Sequence, residues 1–239
     1  MSQLTTTRFI EKLKSYQSDT EKEKIHRYFK SNDPENRVIG VRMKQTFDLA
    51  KEFVNMPANE IENLLESPFY EARMGAVSIM DFQVRRKNIT QDLRKELFEL
   101  YLNKHDRLNN WDFMDRAAPR VIGSYLYDYD KPRDILYQLA QSDNPWERRT
   151  AIVSTAWFIK KGELDDTFRI AEILLNDHHE YVQKAIGTWL RHAGKQDQKR
   201  LLNFLEKHTS TMKRQTLSTA IEKLDKPTKK YFRNKINKP

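Results

Sequence analysis

The sequence predicts an all-α fold, an α-solenoid of stacked two-helix repeats, on three observations. Glycine and proline are scarce, 6 and 8 in 239 residues, whereas turn-rich β architectures use both heavily. Apolar residues recur at helical spacing, as in Phe9, Leu13 and Tyr16 or Leu93, Leu97, Leu100 and Tyr101, with no competing strand alternation. A degenerate segment also returns along the chain. Glu71-Ala72-Arg73-Met74-Gly75-Ala76-Val77 is echoed 76 residues on by Glu147-Arg148-Arg149-Thr150-Ala151-Ile152-Val153, and 34 further on by Tyr181-Val182-Gln183-Lys184-Ala185-Ile186-Gly187.

Local punctuation then sets the elements in order, as helices of about 10 to 18 residues between tight turns. The N-terminal helices, 1–66, begin with the Phe9 stripe and are interrupted at Asn32-Asp33-Pro34 and Met56-Pro57. Central repeats, 67–194, open at Ser67-Pro68 and turn at Asn88-Ile89-Thr90, Lys131-Pro132, Asp143-Asn144-Pro145 and Lys161-Gly162, with Gly194 as their end. Gly75, Ala151 and Ala185 offer small residues where helices cross closely. Halving the 76-residue offset gives 38, and 38 residues after Arg73 stands Trp111, in a helix that starts after Asn109-Asn110. Units of 34 to 38 residues with two helices each are those of a HEAT-like array. A single domain over 1–239 follows, with inner helices lining a concave groove and Arg73, Trp111, Arg149 and Gln183 in one row along it. Basic C-terminal helices, 195–239, complete the chain and break at Lys226-Pro227.

Charge narrows the function. Lys and Arg number 43 against 34 Asp and Glu. Residues 1–194 balance at 30 and 30, while 195–239 carry 13 basic and 4 acidic side chains. A segment with all of the excess suits a polyanion such as nucleic acid, or is a solvated tail. Its basic groups, Lys199-Arg200, Lys213-Arg214, Lys229-Lys230, Arg233 and Lys235, are the expected phosphate contacts. The absence of cysteine excludes disulfides, thiolate metal sites and thiol nucleophiles. Neither G-x-G-x-x-G nor a P-loop occurs, and His26, His105, His178, His179, His192 and His208 show no ligand spacing, so no metal or cofactor is implied. Ser210-Thr211-Met212-Lys213 fits S-x-x-K without companion motifs. With no apolar leader and no spanning stretch, a soluble, cytoplasmic protein is expected.

The densest constellation is Asn109-Asn110-Trp111-Asp112-Phe113-Met114-Asp115-Arg116-Ala117-Ala118-Pro119. Asn110 reads as a helix N-cap with Asp112 in the favourable first turn. Trp111 and Asp115, at i and i+4, share one helix face. An aromatic wall beside a carboxylate suits a cation or a developing cation. The alternative places Trp111 in the core and pairs Asp115 with Arg149 or Arg116.

This stretch resembles the DNA alkylation repair glycosylases of the AlkC/AlkD type, built from HEAT-like repeats, and the resemblance covers nearly the whole chain. His26-Arg27-Tyr28-Phe29-Lys30 is similar to that family's N-terminal helix at the DNA minor groove, and Asn110 to Asp115 to its Trp and catalytic Asp segment. Asp143-Asn144-Pro145-Trp146-Glu147-Arg148-Arg149-Thr150-Ala151-Ile152 resembles its Asp-Asn-x-Trp-x-x-Arg-x-Ala-Ile element. Gln183-Lys184-Ala185-Ile186-Gly187 with Leu190-Arg191 resembles a further helix of it. The resemblance implies Asp115 as catalytic carboxylate, with Trp111 and Arg149 flanking the lesion. Tyr28 would contact DNA, and Lys30, Arg73, Arg148, Gln183, Lys184, Arg191, Lys213 and Arg214 are the further DNA-binding residues expected. It implies hydrolysis of the N-glycosidic bond of a cationic alkylpurine in double-stranded DNA, without swallowing the base, by a monomer that is nucleoid-associated when bound. Two positions depart from the family pattern. Thr188 stands where the family has tryptophan, with Trp189 one residue later and so turned about 100° away, an orientation that points it into the inter-helix core. Trp157 replaces a basic residue. A DNA-binding repeat protein without catalysis, or a protein adaptor, are the competing readings.

Overall fold

The computed structural model describes residues 4–29, the Tyr28 side chain excepted, and 36–236. Among them every regular element is helical, the sole β feature being an isolated bridge between Arg37 and Phe69. The chain falls into two compact units, Met1–Asn109 and Asn110–Pro239. No helix among the described residues is long and apolar enough to cross a membrane.

The first unit holds α1 (Thr6–Ser15), α2 (Asp19–Tyr28), α3 (Met43–Glu52), α4 (Ala58–Leu65), α5 (Tyr70–Val84) and α6 (Gln91–Asn103). Helix α5 is its core. All but one of its residues are buried, with α1, α3 and α4 packed on it. Phe9 of α1 meets Phe53 edge-on at 5.1 Å, and the ring of Phe9 fills the space beside Gly75. Enclosure on all sides forces the polar residues of α5 to find partners inside. The buried Glu71 carboxylate accepts the backbone N–H groups of Ile39 (3.0 Å), Gly40 (2.8 Å) and Val41 (3.2 Å). Arg73, expected along a solvent-lined row, is fully buried. It donates to Asn36, to the Arg107 carbonyl (3.1 Å) and to Asn109 (3.2 Å), so its charge is used to tie the unit together.

The second unit holds α7 (Trp111–Ala118), a π-helical turn (Pro119–Gly123), α8 (Ser124–Asp128), α9 (Asp134–Ala140), α10 (Pro145–Ser154), α11 (Ala156–Lys160), α12 (Asp165–Ile173), α13 (Glu180–Gln196), α14 (Gln198–His208), α15 (Arg214–Ala220) and α16 (Lys226–Lys235). Side-chain caps start several of them. Asn110 accepts from the Trp111 N–H, Asn144 from Trp146, Asp197 from Arg200 and Asp225 from Thr228, and Pro145 and Pro227 stand in first turns, where a missing N–H costs nothing. Helix α10 packs between α7 and α13, and α13 between α10 and α15.

Two expectations change. Helices α7, α10, α13 and α15 begin at residues 111, 145, 180 and 214, a period of 34 to 35 residues, so the 38-residue step does not connect equivalent positions. Arg73 is the fourth residue of α5, Trp111 the first of α7 and Arg149 the fifth of α10. Gly194, read as a helix end, lies inside α13, where the space beside it is filled by Leu201 of α14.

Candidate functional site

The N-terminal turns of α7, α10 and α13 converge on one guanidinium. Asn110 caps α7 and fixes Trp111 at its first position, and one helical turn on, Asp115 projects from the same face. From α10, Arg149 reaches both. Its Nη2 donates to the Asp115 Oδ1 at 2.7 Å, its Nε to the Trp111 carbonyl at 3.4 Å, and its Nη1 to the carbonyl of Tyr181 in α13. The Arg149 side chain is only 6% exposed, whereas that of Asp115 is 40% exposed. The guanidinium also lies 5.9 Å from the Trp111 ring. Asp115 therefore pairs with Arg149, one of the two pairings the structural alternative foresaw, while Trp111 is half-buried rather than core.

The carboxyl is open to a ligand on one side and crowded by protein on the others. That crowding strips its hydration and raises its pKa above the ordinary Asp value, against the charge and hydrogen bond of Arg149, which pull it down. The arrangement presents a partly desolvated carboxylate on the helix face that also carries an indole. Such a pair stabilises positive charge, and more so where water is partly excluded. Arg149, expected to flank the lesion, is buried and held by three acceptors, so it ties Asp115 and the Trp111 backbone to α13.

The other expected contacts divide by accessibility. Arg148 is bound to both oxygens of Asp177 (2.6 and 3.2 Å) and to the carbonyls of Ser142 (2.8 Å) and Asp143 (2.9 Å). It ties the turn before α10 to the turn before α13 instead of reaching outward. Gln183 is buried, donating to the carbonyls of Leu174, Leu175 and Asp177 and accepting from Thr216, so it too is a tie between helices. Lys184 is half-buried, near Glu180 (3.4 Å), and Arg191 is ion-paired with Glu222. Lys213 and Arg214, at the start of α15, are exposed, as are Lys199, Lys230 and Arg233. The side chain of Tyr28, at the end of α2, and the whole of Lys30 lie outside the described residues. Of the two departures, Trp157 is half-buried, with its Nε1 donating to Asp128 (3.3 Å) and Lys160 4.7 Å from its ring. Trp189, expected in the inter-helix core, is instead half-exposed against His192 (5.1 Å between centroids). One step from Thr188 carries it only to the flank of α13, beside the buried Leu190.

Sequence reasoning missed an aromatic set around Trp111. Tyr181 stacks on Trp111, centroids 6.3 Å apart and planes 24° from parallel, and lies 6.0 Å from Trp146. His179 packs against Trp146 (5.0 Å), where burial lowers its pKa. A signal existed, since Trp111, Trp146 and Tyr181 are each 35 residues apart and each sits in the first turn of its helix.

The model of a family described as DNA alkylation repair enzyme matches residues 9–224. Among solved structures, a predicted DNA alkylation repair enzyme from Enterococcus faecalis is similar over 88% of this chain and 97% of its own, at 17% identity with a TM-score of 0.72. AlkD2 from Streptococcus mutans is similar over 92% of this chain and 100% of its own, at 20% identity with a TM-score of 0.51. At these identities the likeness is one of fold. No curated protein matches the chain.

Proposed function

The chain belongs to the DNA alkylation repair enzyme family, and from that premise we propose that it is a DNA glycosylase that releases cationic alkylpurines, such as 3-alkyladenine and 7-alkylguanine, from double-stranded DNA. The observation that carries the reading is the accessible carboxylate of Asp115, held by the buried Arg149, which also bonds the Trp111 carbonyl one helical turn away.

The chemistry follows from charge. Alkylation makes the base cationic, so the bond from C1′ to the purine nitrogen breaks with its electron pair leaving on the base, and the alkylpurine departs neutral. Positive charge then passes to the sugar as an oxocarbenium ion, next to the Asp115 carboxylate and the face of Trp111. Water adds at C1′ and loses a proton to solvent, leaving an abasic site. The partial desolvation that raises the Asp115 pKa also strengthens its interaction with a sugar cation. Lys184, Lys213, Arg214 and Lys230 would meet phosphates of duplex DNA bound by a monomer.

The competing reading, a DNA-binding repeat protein without catalysis, is favoured by the ion pair that already occupies Asp115. Release of free purine from methylated duplex separates the two. Wild type is expected to release 7-methylguanine or 3-methyladenine, and Asp115→Asn to slow release by about 100-fold or more. Equal release by both proteins would remove Asp115 from the reaction, and no release with intact, salt-sensitive DNA binding would favour the silent reading.

A further inference from the structure

The backbone around Trp111 is well anchored, by the Asn110 cap and by Arg149 on its carbonyl. Neither bond fixes the indole ring about its own side-chain torsions. The ring lies nearly parallel to that of Tyr181, which comes from the second position of α13, while the Tyr181 carbonyl anchors the same Arg149 that holds Asp115. Tyr181 is itself confined, with Trp146 6.0 Å away, His179 at 5.9 Å and the ammonium of Lys184 at 4.7 Å. Offset stacking of this kind adds to area burial and favours one indole orientation over its alternatives.

Position on the helix adds a second argument. Tyr181, Lys184, Thr188 and Arg191 follow the i, i+3, i+7, i+10 spacing of one helix face, and all four are half-buried. Tyr181 is the aromatic member of that stripe, and it lies at the end of α13 that meets Asp115 through Arg149.

We infer that Tyr181 is a positioning residue of the Asp115 centre, its ring setting the plane in which Trp111 is presented beside the carboxylate. The inference rests on the glycosylase reading for its kinetic consequence but not for its structural one. Misplacement of a reacting neighbour by about an ångström costs up to roughly 100-fold in rate, so the effect belongs in the chemical step and not in DNA affinity.

The test is a mutant cycle on the full chain, read as single-turnover release of 7-methylguanine from methylated duplex at saturating enzyme, with affinity from fluorescence anisotropy. Tyr181→Phe keeps the ring and is expected within about twofold of wild type, while Tyr181→Leu is expected to slow release by about tenfold or more with affinity within about threefold. Because Tyr181 acts through Trp111, the double variant Trp111→Ala/Tyr181→Leu should be no slower than Trp111→Ala alone. Wild-type release by Tyr181→Leu, or a double variant slower by the product of the two single effects, overturns the inference. Tyr181→Met replaces Tyr181→Leu if the latter does not fold. If wild type itself releases no base, the glycosylase reading fails separately and near-ultraviolet circular dichroism decides this one. Loss of the same band in Tyr181→Leu and Trp111→Ala supports the stacking role, and a wild-type spectrum in Tyr181→Leu sinks it.

Discussion

Arg148 and Arg149 are neighbours in the chain, and about 100° of helical rotation gives them different tasks. One ties the turn before α10 to Asp177 in the turn before α13; the other holds the Asp115 carboxylate and the Trp111 main-chain carbonyl. The raised pKa of Asp115 has two consequences of opposite sign. On the glycosylase reading catalysis needs the carboxylate, so release of alkylpurine should be full at high pH and fall as pH drops through the Asp115 pKa, with its midpoint above the usual 3.8. A pH–rate profile of single-turnover release, corrected for spontaneous loss, measures that midpoint. The folded chain binds this proton more tightly than the unfolded one, so the group's contribution to stability declines as pH rises through the same window. Thermal melting of Asp115→Asn at neutral pH should accordingly show a Tm equal to or above wild type, although activity is lost. For Gln183, the prediction concerns stability alone. Gln183→Leu leaves the buried carbonyls of Leu174 and Leu175 and the half-buried one of Asp177 without its amide and should cost about 1–3 kcal/mol in denaturant unfolding, with the salt dependence of DNA binding unchanged. Trp111 and Asp115 were legible because i and i+4 place them on one face. The fates of Arg148 and Arg73 were not, because a buried acceptor 29 or more residues away in sequence, such as Asp177, leaves no local trace, and Gln183 bonds main-chain carbonyls, which no residue identity announces.

Among elements, the π-helical turn stands out. Pro119 has no N–H to offer the Asp115 carbonyl four residues back, and the helix passes through a wider turn before resuming as α8. The same turn presses against α10. A Cβ on Gly123 would lie 2.2 Å from the Ser154 carbonyl oxygen, and backbone cannot swing aside as a side-chain tip can. Gly123→Ala should therefore destabilise the second unit by about 1–3 kcal/mol, and because α7 and α10 carry Asp115 and Arg149, it should slow base release as well. A variant with wild-type Tm and rate would show that the contact gives way freely. Some helix starts were readable from their caps, as at Thr90, Asn110 and Asn144. Gly194 misled because a small residue serves a close crossing as readily as a turn, and a sequence records only the absence of the side chain. The π turn was invisible for a similar reason, since Pro119 marks a missing donor without saying how the helix accommodates it.

At the scale of the whole molecule, the net charge of +9 is carried by 195–239, where Lys213, Lys230 and Arg233 are exposed on or beside α15 and α16. If this segment meets phosphates, replacing Lys213, Lys229 and Lys230 by Gln should make the slope of log affinity against log salt shallower by up to about three, one per contact removed. An unchanged slope would assign those lysines to solvation of the surface. The repeat was legible in outline from its echoing segments. Its true period was not, because the interval from α5 to α7 is longer than those that follow and averaging across it gave 38. One feature of the site bears on its history. Arg149 is held by two main-chain carbonyls and one carboxylate, and main-chain acceptors survive every substitution. A lineage can thus exchange residue 115 without releasing the arginine that joins three helices. If Asp115 carries the reaction, catalytic ability in such a scaffold can be lost and regained by a single codon change while the same arginine keeps the three helices joined.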